Sequence, residues 1–195
     1  MKHVVIIGQS GAGKSSLVNM LCPDAKANVS NDAESCTTRE IRYPCQFDNR
    51  QYTVHDTVGI REGTGWVFKF WPPRFSKREP EETPRLKRYL KELMDKGELH
   101  LLIYCMSGIR YRKPSHADNY EIFKSFVGPS VPVVVVVTSV DYSDDSERRN
   151  WWSRNAQVVK KFDGKHYACV TTLPGTAGYA TSCKDVKTLI RSVLP

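Results

Sequence analysis

One stretch near the amino terminus constrains the fold more than any other. The apolar run His3-Val4-Val5-Ile6-Ile7 leads directly into Gly8-Gln9-Ser10-Gly11-Ala12-Gly13-Lys14-Ser15, and then into Ser16-Leu17-Val18-Asn19-Met20-Leu21. A loop with the spacing G-x-x-x-x-G-K-[ST], entered from a strand and left by a helix, is built to cradle phosphate. Its glycines let the backbone curl until main-chain N–H groups face inward. The helix that follows adds unpaired N–H groups and the positive end of its dipole. Gly8, Gln9, Ser10, Gly11, Ala12, Gly13, Lys14, Ser15 and Ser16 are therefore expected to line an anion. Lys14 would reach the β- and γ-phosphates of a nucleotide, and the Ser15 hydroxyl would ligate Mg²⁺.

The rest of the chain alternates strands with helical stretches, which predicts an α/β fold. We expect a mostly parallel six-stranded sheet with one antiparallel edge strand and helices on both faces. Helical spacing covers 14–21, 81–96, 115–127, 144–162 and 183–194, whereas 24–38 is polar and loop-like. Residues 39–47 and 51–56 alternate in polarity around Asp48-Asn49 and predict an antiparallel hairpin. Further buried strands are expected at 99–105, 133–137 and 167–171. With 195 residues, 40% of them hydrophobic, the chain has the material for one domain over 1–195.

Composition narrows the partners. The formal charge of +8 favours anionic ones, although part of that excess would face a bound nucleotide. Six cysteines, Cys22, Cys36, Cys45, Cys105, Cys169 and Cys183, show no C-x-x-C pair and no metal-ligand spacing, and read as reduced thiols. The longest apolar run, 131–137, contains Pro132 and is far short of a membrane span of roughly 20 residues. With the first strand opening at residue 3, no leader is expected, and a cytoplasmic location follows.

Three later stretches complete a nucleotide site. Asp56-Thr57-Val58-Gly59 ends the third expected strand in the form D-x-x-G. Asp56 would hold Mg²⁺ and the Gly59 amide would contact the γ-phosphate, at the carboxyl end of a strand beside the first. Ser35-Cys36-Thr37-Thr38 precedes the second strand, and a threonine there would complete the metal shell while a γ-phosphate is present. Spacing does not choose between Thr37 and Thr38. Thr138-Ser139-Val140-Asp141 ends the valine strand, where the Asp141 carboxylate can accept two hydrogen bonds from guanine but not from adenine.

Taken together, 8–15, 56–59 and 138–141 resemble the small G domains of the translation-factor-related P-loop GTPase class. The stretch 7–19 looks most like the septin-related branch, which includes the immunity-associated and chloroplast-import GTPases. The resemblance implies GTP/GDP binding with Mg²⁺ and a dimer formed across the nucleotide face. Ser139 stands where the family has a lysine whose stem packs on the base, so its grip on guanine should be weaker. Thr171 and Thr172 loosely match the family's last motif, a small-residue loop whose amide meets the guanine.

In many switch GTPases a glutamine after D-x-x-G orients the attacking water, and here that position is Ile60. Arg61 follows and would stabilise charge on the γ-phosphate, in its own site or in a partner's. Lys14, Thr37, Thr38, Gly59 and Arg61 are thus the residues expected to act in hydrolysis, and turnover is expected to be slow. Residues 61–84 form an aromatic, basic and proline-rich insertion, with Trp66, Phe68, Phe70, Trp71 and Phe75 among Lys69, Arg74, Lys77 and Arg78. Its 66–78 part would offer an effector protein or an anionic surface a contact that follows the nucleotide state. Of the adjacent Trp151 and Trp152, one is expected to pack inward and the other to face out. Three functions remain: a GTP-hydrolysing switch, a non-catalytic guanine-nucleotide-binding module, and an RNA- or ribosome-associated GTPase, the last less favoured.

Overall fold

The computed structural model describes residues 1–28, 39–60, 66–69, 74–77, 82–109, 114–140, 145–162 and 164–194, with 66–69, 74–77 and 114 described by backbone alone. In chain order the elements are β1 (Lys2–Gly8), α1 (Lys14–Leu21), β2 (Ile41–Phe47), β3 (Arg50–Asp56), β4 (Trp66–Lys69), β5 (Arg74–Lys77), α2 (Glu82–Asp95), β6 (Leu101–Ser107) and α3 (Pro114–Val127). They continue with β7 (Val133–Thr138), the short helices α4 (Asp145–Arg149), α5 (Trp151–Arg154) and α6 (Ala156–Val159), then β8 (Tyr167–Cys169) and α7 (Tyr179–Val193). Six strands form one sheet in the order β2-β3-β1-β6-β7-β8, and only the β2–β3 pair is antiparallel. The fold is the expected one: a mostly parallel sheet with one antiparallel edge strand.

Side-chain alternation explains why the central strands read as unbroken apolar runs. Successive residues of a strand point to opposite faces, and here both faces are covered. Val5, Ile7, Leu102, Tyr104, Val135 and Val137 join one core with Leu86, Leu90 and Leu93 of α2 and Tyr120 and Phe123 of α3. Val4, Ile6, Leu101, Ile103, Val134 and Val136 join a second core with Leu17, Val18 and Leu21 of α1 and Val186 and Ile190 of α7. The β2–β3 turn closes through Asp48 (φ 51°) and Asn49 (φ 59°), both left-handed, which matches the strand twist of a two-residue hairpin.

The structure departs from expectation in four places. The single helix expected over 144–162 is three short ones, interrupted at Asn150 and Asn155; the Asn155 side chain donates to the Trp151 carbonyl (2.8 Å) and competes with the helical ladder. These interruptions let both tryptophans turn inward, with Trp151 3% and Trp152 8% exposed, correcting the expectation of one in and one out. Trp152 stacks on Tyr167 of the edge strand with ring centroids 4.2 Å apart. The final helix begins at Tyr179 rather than 183, because Gly178 takes a left-handed conformation (φ 81°) and starts it earlier. Within the expected insertion, β4 and β5 pair with each other as a separate two-stranded sheet.

Candidate nucleotide site

The carboxyl ends of β1, β3, β6 and β7 meet around the phosphate loop. Gly8 passes so close to β6 that a Cβ on it would lie 2.1 Å from the Cys105 carbonyl oxygen, so no other residue fits there. Ser10 N donates to Ile60 O (3.0 Å) and Ile60 N donates to Gly8 O (3.0 Å), stitching the loop to the chain leaving β3. Gly59 lies against the loop: a Cβ there would stand 2.7 Å from Ser10 Cα and 3.1 Å from Lys14 Nζ.

Lys14 opens α1 and is only 7% exposed. Its ammonium donates to the Gly8 carbonyl (3.2 Å) and the Gln9 carbonyl (3.1 Å), folded back over the loop. Burial lowers the Lys14 pKa, with Cys105 and the Asp56 carboxylate acting the other way. A buried cation bonded to neutral carbonyls suits an anion, since a phosphate would add to the counter-charge of Asp56. One residue on, the Ser15 hydroxyl donates to Asp56 Oδ2 at 2.6 Å. Two hard oxygen donors, a hydroxyl and a carboxylate, thus converge beside that ammonium, which fits the small divalent ion expected there.

The remaining expected residues fall into place unevenly. The Thr138 hydroxyl donates to the Ala12 carbonyl (2.7 Å), tying the end of β7 to the phosphate loop rather than leaving it free for a base. Ser139 takes a left-handed backbone (φ 56°), and Val140 N donates to Val170 O (3.1 Å). That bond brings 138–140 beside Thr171 and Thr172. Thr171 is buried, its N–H held by the Ser182 hydroxyl of α7 at 3.1 Å. Thr37, Thr38, Arg61 and Asp141 lie outside the described residues. Ile60 is fully buried in the α2–α3 core, so its side chain is turned away from the loop.

Several supporting contacts had no sequence signal, because their partners are distant along the chain. The Cys105 thiol donates to the Ala12 carbonyl (2.9 Å), and Gln9 Nε2 donates to Ser115 Oγ (2.7 Å). The Asn19 side chain clamps both main-chain groups of Ala27, accepting from its N–H at 2.7 Å and donating to its carbonyl at 2.9 Å. This fixes the chain entering 29–38. Among the described residues, no helix is long and apolar enough to cross a membrane.

Comparison with known proteins agrees with the geometry. A 61-residue stretch is 41% identical to the tRNA modification GTPase MnmE of Xanthomonas campestris pv. campestris, covering 31% of this chain and 14% of that protein. The probable GTP-binding protein EngB of Aquifex aeolicus is 29% identical over 164 residues, 83% of this chain and 76% of EngB. The structure of Era in complex with MgGDPNP and part of 16S ribosomal RNA matches with a TM-score of 0.66 at 21% identity, over 100% of this chain and 57% of that one. Toc33 from Arabidopsis thaliana, in a dimerisation-deficient form, matches with a TM-score of 0.62 at 16% identity, over 98% and 84%. The structural matches, at such low identity, speak to the fold, and none of these relatives singles out the septin-related branch. The model of the 50S ribosome-binding GTPase family matches residues 3–139, which hold the phosphate loop, Asp56-Thr57-Val58-Gly59 and the end of β7, and this chain belongs to that family as a GTP-binding GTPase domain.

Proposed function

We propose that the chain is a nucleotide-controlled switch that hydrolyses GTP slowly on its own and is accelerated when two copies meet across the nucleotide face. The observation that carries this reading is the Lys14 ammonium resting on two carbonyls beside the Ser15–Asp56 pair, with Gly59 packed against both the loop and the lysine. On binding, Lys14 exchanges those carbonyls for β- and γ-phosphate oxygens, and the loop amides take the remaining charge. Ser15 and Asp56 would hold Mg²⁺, joined by Thr37 or Thr38; when bound, the ion neutralises charge on the phosphate oxygens. Gly59 places its amide where the γ-phosphate would sit. Asp141 accepts from the guanine edge, with Ser139, Thr171 and Thr172 around the base.

Slow turnover follows from Ile60. A fully buried aliphatic side chain, with its backbone tied to Gly8 and Ser10, can neither orient nor deprotonate water. Intrinsic hydrolysis should then lie at or below ~10⁻³ s⁻¹, and an arginine supplied to the γ-phosphate would raise it by roughly 10³–10⁵. Arg61, in its own site or in the partner copy's, is the residue we assign to that role. Phosphate release measured across protein concentrations tests the reading. A specific rate that climbs with concentration and falls in Arg61→Ala supports it; no release at any concentration reduces the chain to a binding module. Asp141→Asn should weaken GTP and GDP selectively.

A second reading, ribosome or RNA association, draws on the +8 charge, the description of the family and the rRNA held by Era. It predicts retention on ribosomal RNA that falls steeply with salt and depends on bound nucleotide.

A further inference from the structure

One guanidinium lies where the chain that follows β7 is fastened to the chain that follows β8. Arg148 of α4 is 1% exposed and among the largest fully buried side chains of the described residues. Its Nη1 donates to the carbonyl of Cys169, the last residue of β8. Its Nη2 donates to Asp185 Oδ2 of α7 (3.0 Å) and to Asp145 Oδ1 at the start of α4 (3.3 Å). Arg149 Nε stands 3.9 Å from the same Asp185 oxygen, so two cations alternate with two carboxylates. Taking a guanidinium out of water is costly, and an apolar contact of like volume on both sides would hold the helix as well. What only the planar fork can do is fix three oxygens of three separate elements at set angles.

Those oxygens bracket the loop 170–178. At its start, Val170 N donates to Val137 O (2.8 Å) and Val140 N donates to Val170 O (3.1 Å), which sets the loop beside the end of β7. Next along, the Thr171 N–H is taken by Ser182 Oγ of α7 (3.1 Å), one turn before Asp185 on the same helix face. The Thr176 hydroxyl donates to Leu173 O (2.6 Å) and accepts from the Thr171 hydroxyl (3.1 Å), drawing the two arms of the loop together. At its end Gly178 is left-handed (φ 81°), and a Cβ there would stand 2.9 Å from Asp145 Oδ1, 3.7 Å from Arg148 Nε and 3.8 Å from Thr171 Cγ2. The loop thus leaves the sheet and enters α7 against one and the same knot of side chains.

We propose that Arg148 is a positioning residue for base recognition, acting through the loop 170–178 without touching the nucleotide. This role rests on the reading above that Thr171 and Thr172 lie beside the base. With the Thr171 N–H committed to Ser182, the Thr172 amide is the next main-chain donor along the loop, and the guanine O6 is the acceptor it would meet. Arg148 fixes where that amide stands relative to 138–140, because it pins the chain at Cys169 and, through Asp145, at Gly178. Lys14, Ser15 and Asp56 belong to the ends of β1 and β3, which β6 and β7 separate from β8. Loosening the knot therefore acts on the base and spares the grip on phosphate.

The full chain and its variants are titrated with labelled magnesium–GTP, magnesium–GDP and magnesium–6-thio-GTP, the last altered only at the guanine O6. Thermal unfolding run beside the titrations confirms a folded protein. Wild type should bind GTP more tightly than 6-thio-GTP, because sulfur accepts an N–H poorly. Arg148→Lys keeps the buried charge but loses the fork, and Asp185→Asn loosens the α7 arm. Each should weaken GTP and GDP alike by roughly 3–10-fold, the worth of one neutral hydrogen bond, and bring the preference over 6-thio-GTP towards one. Gly178→Ala, which pushes Asp145 Oδ1 aside at the other end of the loop, should do the same, whereas Arg149→Gln should change neither quantity. Folded variants that keep wild-type affinities, or that lose GTP and 6-thio-GTP by the same factor, would overturn the proposal. A wild type that binds both nucleotides equally would instead remove the base reading, and the positioning role with it.

Discussion

Replacing Lys14 with methionine should leave the empty protein nearly as stable as before while removing its response to nucleotide. Lys14 is 7% exposed and, among the described residues, its ammonium donates to the Gly8 and Gln9 carbonyls. Each of those carbonyls keeps a main-chain donor without it: Ile60 N–H for Gly8 and Ala12 N–H for Gln9. Truncating the charge therefore orphans no acceptor. Losing charge-assisted hydrogen bonds costs roughly 1.5–3 kcal/mol each. Relief of a desolvation penalty of several kcal/mol offsets that. The net change should stay within about 1 kcal/mol, or ~2–4 °C in Tm for a chain of this size.

With ligand the difference is large. At a magnesium–GTP concentration of 100 Kd the wild type gains about 2.7 kcal/mol, or roughly 5–11 °C in Tm. Deleting one partner of a buried ion pair costs about 3 kcal/mol, which raises Kd about 100-fold. The variant then gains only ~0.4 kcal/mol at the same concentration. Calorimetric unfolding with and without magnesium–GTP reads both quantities. The wild-type pKa of Lys14 lies below its ordinary 10.5, so the unfolded chain binds more protons on the approach to that value. Wild-type stability relative to Lys14→Met should accordingly rise with pH across that window. A variant that keeps the full ligand shift, or loses more than about 3 kcal/mol when empty, would refute the reasoning.

Arg148 is 1% exposed and holds the Cys169 carbonyl, Asp185 Oδ2 (3.0 Å) and Asp145 Oδ1 (3.3 Å), fastening α4 to β8 and α7. Arg148→Leu strips that carbonyl and the two carboxylates of their buried donor and should cost about 3 kcal/mol by denaturant titration; a loss below ~1 kcal/mol would show the network to be dispensable. His55 is fully buried, accepting or donating to His3 Nδ1 (3.0 Å) and Tyr89 OH (2.6 Å), and burial lowers its pKa from 6.5 to about 3. Between those values the unfolded chain binds a proton that the folded one refuses, so stability falls as pH drops from 6.5 towards 3, by at most ~1.4 kcal/mol per pH unit. His55→Gln should flatten that stretch of the profile, and an unchanged slope would assign the acid loss to other groups. Gly59→Ala places a Cβ 3.1 Å from Lys14 Nζ and 2.7 Å from Ser10 Cα, so the loop must shift. Labelled-nucleotide titration should show at least ~10-fold weaker GTP binding, about 1.4 kcal/mol, and wild-type affinity would mean that the loop tolerates the displacement.

The phosphate loop, the succession of strands along the chain and the Asp56 turn were legible in the sequence because their signals are local. Gly8 to Ser15 carries its own backbone geometry, and the doubly buried strands announce themselves as runs such as the five valines of 133–137. The Asp48-Asn49 turn was legible for the same reason. The helical stretch 144–162 was not, since its spacing gave no warning that Asn150 and Asn155 would break it, bury both tryptophans and set Trp152 against Tyr167 and Phe162.

What the sequence determined alone is the chemistry at hand: an ammonium, a hydroxyl and a carboxylate at the ends of neighbouring strands. Tertiary structure decided what those groups touch, with Lys14 on Gly8 and Gln9, the Thr138 hydroxyl on Ala12, and Ile60 sealed in the core. It also decided that Arg148 lies buried against β8 and α7. Each of these is a contact between residues distant along the chain, and such contacts exist only once hydrophobic burial has brought the elements together.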